Sequence, residues 1–375
     1  MIRRFCALVA LCLAAPIAAA VQVHTSPVEL IDASPETPGI IIQRAVLAPP
    51  VARGVAVKSC GKAGALWTYV RLADACPATA SALAAPRLAA PEMTIASTKM
   101  MRSGYAIRNA RASLGTVGRI DGKAAGIVIT DVETRGATYL LRSYRFTDQA
   151  PSLTVARVRM LDNGPGGILV RGASSGTIED VLIEATRPET DCSKVPEGVA
   201  LAGKAGGDTG GPWTIARVRV TGIRSVGCKF ANGDGFSIER GWQNISLIDS
   251  YAADNSDAGF DIKSPTARLD RTIAERNRRS YKLWADQRHG HLTSIDPGQP
   301  GSGAAAHLQV HGSRTIRIEH LEARSSTTAP IVQVEGASKA APARVSIGSC
   351  SLKVPAGTKM AVGPVVLDLG PGCAL

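Results

Sequence analysis

The stretch from Asn232 to Ser264 gathers the side chains best suited to chemistry: Asp234, Asp254, Asp257 and Asp261, with Asn232 and Asn255 beside them, and then Lys263. Oxygen donors at this density suit a hard cation such as Ca²⁺, and they equally suit turns in which Asn and Asp side chains bond the backbone. Asp234, Asp257 and Asp261 are the candidate metal ligands. Lys263 and, farther on, Lys282 can act as bases where burial or positive neighbours lower their pKa. With Asp261 they make up the candidate catalytic set. His289 and His291 are alternative proton carriers, although isolated histidines in a turn are more often structural or solvated.

The elements that must position these groups are legible from a repeat. Gly235-Phe236-Ser237-Ile238 returns as Gly259-Phe260-Asp261-Ile262, 24 residues later, with the alternating run Asn244 to Ile248 between the two copies. Short alternating runs recur along the chain: Gly126–Ile129, Leu153–Val158, Gly167–Arg171, Thr177–Ile183, Thr214–Val220, Ala306–Val310, Thr315–Ile318, Ile331–Val334 and Arg344–Ile347. Each is too short for a helix, and Gly, Asn, Asp and Ser separate them. The apolar landmarks Val155, Ile178, Ile215 and Ile245 are spaced by about two dozen residues plus inserts. A β-sandwich has no such repeat, and the leucine-rich pattern is absent. The expected fold is all-β: a right-handed parallel β-helix of about nine or ten coils over residues 93–354. Residues 21–92 are expected to cap one end and residues 355–375 the other.

If Phe236 and Ile238 point inward, period-two alternation sends Ser237 and Glu239 outward. The same alternation exposes Asp261 and Lys263, then Lys282 and Trp284, then His307, Gln309 and His311. Glu239, Trp284, Arg288, His307 and His311 are therefore candidate substrate-binding residues. The plainer reading is that outward strand positions are polar because they face water. It is the juxtaposition of Asp261, Lys263, Lys282 and Trp284 that favours a groove.

Composition sets the setting. Residues 1–20 carry Arg3 and Arg4, an apolar run and Ala18-Ala19-Ala20, the pattern of a secretory signal peptide too short to span a bilayer. Its removal lowers the formal charge from +12 to +10. A secreted or periplasmic basic chain is expected to meet acidic polysaccharide, and an aromatic content of only 4% speaks against a nucleic-acid platform. No later stretch is apolar enough to span a membrane, and a monomer is expected. Six cysteines lie beyond residue 20, an even count that reads as disulfides. Nearest-neighbour pairing gives Cys60–Cys76, Cys192–Cys228 and Cys350–Cys373. Cys192 and Cys228 lie in inserts on successive coils, which sharpens that pair.

NSDAGFDIKS followed a coil later by RNRRSYKLW resembles the pectate-lyase-like right-handed β-helix superfamily. The nearest pattern is the pectate lyase family whose calcium site reads D-D-G-x-D, with a further Asp one coil earlier. Asp257 and Asp261 match its outer acids, Asp234 matches the earlier one to within a residue, and Ala258 stands in place of the second acid. The resemblance implies β-elimination on a uronate chain, with Ca²⁺ acidifying the C–H beside the carboxylate and a lysine as base. The polygalacturonase-like hydrolases share a similar fold and a comparable acid step, but no G-H-G stands at the right distance here. A non-catalytic glycan-binding β-helix is the third alternative.

Overall fold

Runs of β-branched and aliphatic residues broken by Gly, Asn and Asp favour strands over helices. The computed structural model describes residues 152–375 apart from 173, 204–209, 231 and 299–303. It also describes the strands Glu29–Ile31, Ile40–Gln43, Ala56–Lys58, Tyr69–Arg71, Thr94–Ser97, Gly104–Gly122 and Gly126–Ser143. Among the described residues every regular element is a strand, and no helix is long and apolar enough to cross a membrane.

From Ser152 onward the strands run parallel in two stacked sheets, an arrangement consistent with a parallel β-helix. One sheet stacks Gly166–Arg171, Glu197–Ala202, Asp234–Ile238, Ala258–Ile262, Arg279–Leu283, Ala306–His311 and Val332–Glu335, each beside the next. The other begins with Ser152–Asn163, Ser175–Ala185 and Trp213–Thr221 and runs on to Gln287–Ile295 and Thr315–Arg324. This second sheet bends at left-handed residues that succeed one another up the stack: Arg157, Asp180, Arg217, Asp249 and Arg271, with φ between 48° and 54°. A non-glycine residue pays for positive φ in strain. Here successive members alternate in charge, and Arg217 pairs with Asp180 and Arg271 with Asp249, each at 2.6 Å.

The repeat sets the interior. Phe236 stacks on Phe260 with ring centroids 4.7 Å apart, and Phe260 on Tyr281 at 5.2 Å. All three are fully buried, and each such side chain contributes roughly 2–3 kcal/mol by leaving water. The single Tyr281 hydroxyl proton is satisfied between the carbonyls of Thr272 and Thr293, which lie 2.8 and 2.9 Å from the oxygen. The glycines before Val199, Phe236 and Phe260 are a packing requirement. A Cβ on Gly198 would lie 2.3 Å from Val220 Cγ1, and one on Gly235 2.7 Å from the Gly259 carbonyl.

Two expectations need correction. Ile215 pairs with Leu247, and it is Trp213 that lies beside Ile245. The slip of two residues keeps the same face inside, so the apolar pattern could not reveal it. His307 does not face outward. It occupies the inward corner position that follows Gly235, Gly259 and Ser280 on successive strands, is fully buried, and places Nδ1 2.7 Å from Ser294 Oγ. Alternation starts one residue later, at Leu308.

The expected bridges Cys192–Cys228 and Cys350–Cys373 are present, with Cα separations of 5.4 and 4.7 Å. Cys60–Cys76, the segment 1–20 and most of 21–92 lie outside the described residues. Within the latter, Ile40–Gln43 pairs in parallel with Gly104–Gly122, and Ala56–Lys58 pairs antiparallel with Tyr69–Arg71.

Candidate functional site

The sheet that carries the repeat turns its outward face into a cleft of about 690 Å³. Register decides what it displays: Ala200, Ser237, Asp261, Lys282 and Gln309 occupy one outward row on successive strands. Glu239, Lys263, Trp284 and His311 follow two residues later along their strands. The cleft brings together Asp234, Asp257, Asp261, Lys263, Lys282, Glu239 and Trp284 from the candidates named above. Arg288 is elsewhere, on the second sheet, beside Arg317. His311 stacks on Trp284 at 3.9 Å between centroids. His289 is fully buried, where its Nδ1 accepts from the Leu269 amide, and His291 meets His320 edge to face on the second sheet.

Within the cleft the carboxylates are already engaged. Asp257 accepts from Arg279 Nη1 at 2.5 Å and from Lys282 Nζ at 2.9 Å, one bond to each oxygen. Asp261 accepts from Trp284 Nε1 at 2.5 Å on one oxygen, while Lys263 Nζ lies 3.2 Å and Lys282 Nζ 3.9 Å from the other. Lys263 also binds Glu239 at 2.5 Å. Asp234 is only 5% exposed and accepts from the Ala258 amide at 2.9 Å.

These contacts separate the titrating groups. Burial pulls the Lys263 and Lys282 ammoniums down, but the surrounding carboxylates outweigh it: Asp261 and Glu239 around Lys263, and Asp234, Asp261 and Asp257 around Lys282. Both lysines end above the ordinary lysine value, so the lowered pKa on which a lysine base depends is not met. Asp234 moves the other way. Burial raises its pKa well above the carboxylate range, Lys282 opposes this, and Asp257 and Asp261 add to it. Glu197, directly beside Asp234 on the neighbouring strand, is raised to about 7. Burial is the main cause there, with the Ser237 hydroxyl and Lys263 pulling down and Glu239 and Asp261 pushing up.

Glu197 is the functional candidate that the repeat, as read above, missed. The signal was available: Glu197-Gly198-Val199-Ala200-Leu201 has the same acid-Gly-apolar-x-apolar form as Asp234-Gly235-Phe236-Ser237-Ile238. Valine and leucine in place of phenylalanine and isoleucine hid the copy. Ala258 is the next position in that column, fully buried, and its amide serves Asp234.

The donor set does not fit a divalent cation. Ca²⁺ takes about six to eight oxygen ligands, whereas both oxygens of Asp257 and of Asp261 already lie against Arg279, Trp284 or the lysines, and two ammoniums stand among them. Asp234, the third expected ligand, favours its proton. Among the described residues no other cluster of three His, Cys, Asp or Glu is arranged to hold a metal.

No family model, curated protein or solved structure matches this chain.

Proposed function

We propose that the chain is a secreted or periplasmic right-handed parallel β-helix of about nine or ten coils, closed at its ends by residues 21–92 and 355–375, that cleaves an acidic, uronate-containing glycan by β-elimination as a monomer. The observation carrying this reading is the meeting, in one cleft, of a carboxyl poised near neutrality with two lysines held charged. Lys282 and Lys263 offset the uronate carboxylate, the task that calcium performs in the resembled family. The adjacent C–H becomes acidic, and Glu197 as carboxylate takes that proton. As the C=C bond forms and the C–O bond breaks, protonated Asp234 gives its proton to the leaving oxygen. Glu197 and Asp234 lie on neighbouring strands in direct register, so a proton exchange between them resets the pair.

A second reading rests on the same pair. Two stacked carboxyls with raised pKa also suit the acid and base of a glycoside hydrolase. Incubation with a panel of uronate polymers separates the two: β-elimination yields an ultraviolet-absorbing unsaturated end, hydrolysis yields new reducing ends without it. The lyase reading expects that absorbance to persist in EDTA and to fall about 10²–10⁴-fold in Glu197→Gln. Reducing ends alone would establish the hydrolase, and binding without either product would leave a glycan-binding module.

A further inference from the structure

The second sheet carries a basic trough of about 590 Å³ that the cleft does not include. Arg288 lies directly opposite Arg317 in the strand register, and Arg344 projects from the next strand, opposite Thr315. Like charges placed directly opposite on a sheet are destabilising. Elsewhere the chain avoids this by setting acids against its arginines, as with Asp180 and Arg217, Asp249 and Arg271, and Asp254 and Arg276. In the trough Arg288 shares one oxygen of Glu319 with Arg268, at 3.3 and 3.2 Å. Among the described residues Arg317 and Arg344 are exposed and have no ion-pair partner. Glu319 and Asp368 also line the trough, and Glu319 offsets Arg288, but neither acid pairs with Arg317 or Arg344. A charge conflict only partly compensated within the chain marks a surface suited to something outside it.

We propose that this trough binds an acidic polysaccharide at a site separate from the cleft. Unpaired guanidinium forks suit carboxylate or sulfate groups bidentately. Strands about 4.8 Å apart set Arg317 beside Arg288, and Arg344 lies on the following strand two residues back from the position opposite Arg317. Thr315 and Ser346 line the floor between them and add hydroxyl partners for sugar hydroxyls. No aromatic side chain lines the trough, so the stacking platform of a single-stranded nucleic-acid groove is missing. The proposal takes the glycan class from the functional reading above and takes nothing from its chemistry. The trough anchors the polymer while the cleft works on another part of it.

The test is affinity electrophoresis of the full chain in gels containing polygalacturonate or a sulfated glycan, with the double variant Arg317→Ala/Arg344→Ala. Binding of the wild-type chain should weaken about tenfold in the variant and lose part of its salt dependence, while Arg317→Lys/Arg344→Lys, which keeps charge without the fork, falls between. Thermal unfolding of the variants checks that the fold is intact. Unchanged mobility in the double variant overturns the proposal, as does a wild-type chain that no glycan in either gel retards. Binding of anionic vesicles or duplex DNA that depends on the two arginines, with glycan binding unaffected, also overturns it. The unsaturated-product assay is scored separately, so a binding trough with no β-elimination refutes only the lyase reading.

Discussion

Two rows of charge climb the same stack and do opposite things to their acids. At the bend of the second sheet, the carboxyls of Asp180 and Asp249 are held below their ordinary range, chiefly by the guanidinium bonds of Arg217 and Arg271. In the cleft, Asp234 and Glu197 are pushed up by burial, although lysines stand close by. Both rows set acids against cations on neighbouring strands, and the spacing between strands is the same. What differs is access to water: the bend pairs are about half exposed, whereas Asp234 is only 5% exposed. Charge at the bend steadies a left-handed turn. Charge in the cleft sets proton affinities, and proton affinity is what a catalyst uses.

The largest effect that tests this contrast is the loss of Lys282. Its ammonium bonds Asp257, approaches Asp261 and opposes the upward shift of Asp234. Lys282→Met removes one of the two cations on Asp257 and leaves the buried acids in excess of their counter-ions, a change that costs up to about 3–5 kcal/mol. Urea denaturation should show that loss, and adding Asp257→Asn to the variant should recover part of it. If Lys282→Met is no more harmful than breaking a pair at the bend, burial does not distinguish the two rows.

The next effect is a pH dependence of defined sign. Glu197 has its folded pKa raised from 4.5 to about 7, so between those values the folded chain holds the proton more tightly than the unfolded one. The Glu197 contribution to stability is therefore largest at acid pH, falls as pH rises from about 4.5 to about 7, and levels off above, a change of roughly 3 kcal/mol. The buried imidazoles of His289 and His307, lowered by burial to about 3 and about 4, act in the opposite sense, so the Glu197 share is read as the difference between the wild type and Glu197→Gln. Asp234 adds in the same direction. Glu197→Gln should gain stability relative to the wild type as pH rises through this interval and be more stable than the wild type at pH 8. In the lyase reading activity runs the opposite way, rising toward neutrality as Glu197 ionises. A wild-type profile that does not fall relative to that of Glu197→Gln over this interval would falsify the assignment.

Much of this arrangement was readable from the residues. The Gly-Phe-x-Ile repeat, its inward aromatics and the outward row Ser237, Asp261 and Lys282 follow from periodicity, because each strand reuses one geometry. The inserts located Cys192 and Cys228 for the same reason. Periodicity failed where the chain turns a corner. His307 stands one residue before alternation begins, and a position that takes Gly235, Gly259 and then Ser280 on the preceding strands gave no warning of an imidazole. Arg288 was assigned to the groove although it lies on the other sheet, since alternation tells inside from outside but does not tell one outer face from another. The lysines were sought as bases because pKa depends on distances among side chains from three strands, which no spacing along one strand reports.

The smallest effect probes the bend itself. Arg271 sits at φ 48° and pairs with Asp249 through both carboxylate oxygens, at 2.6 and 3.0 Å, yet its side chain is 53% exposed. Exposed pairs contribute little because water and salt already solvate both charges. Arg271→Ala keeps the strained φ and removes the pair, so the melting temperature should drop by about 2 °C or less. That drop should shrink further in high salt. Arg271→Gly removes the pair and relieves the strain at once, so it should melt at or above Arg271→Ala. A large loss in Arg271→Ala that glycine does not recover would mean that the bend depends on its charges as heavily as the cleft does, and the contrast between the two rows would collapse.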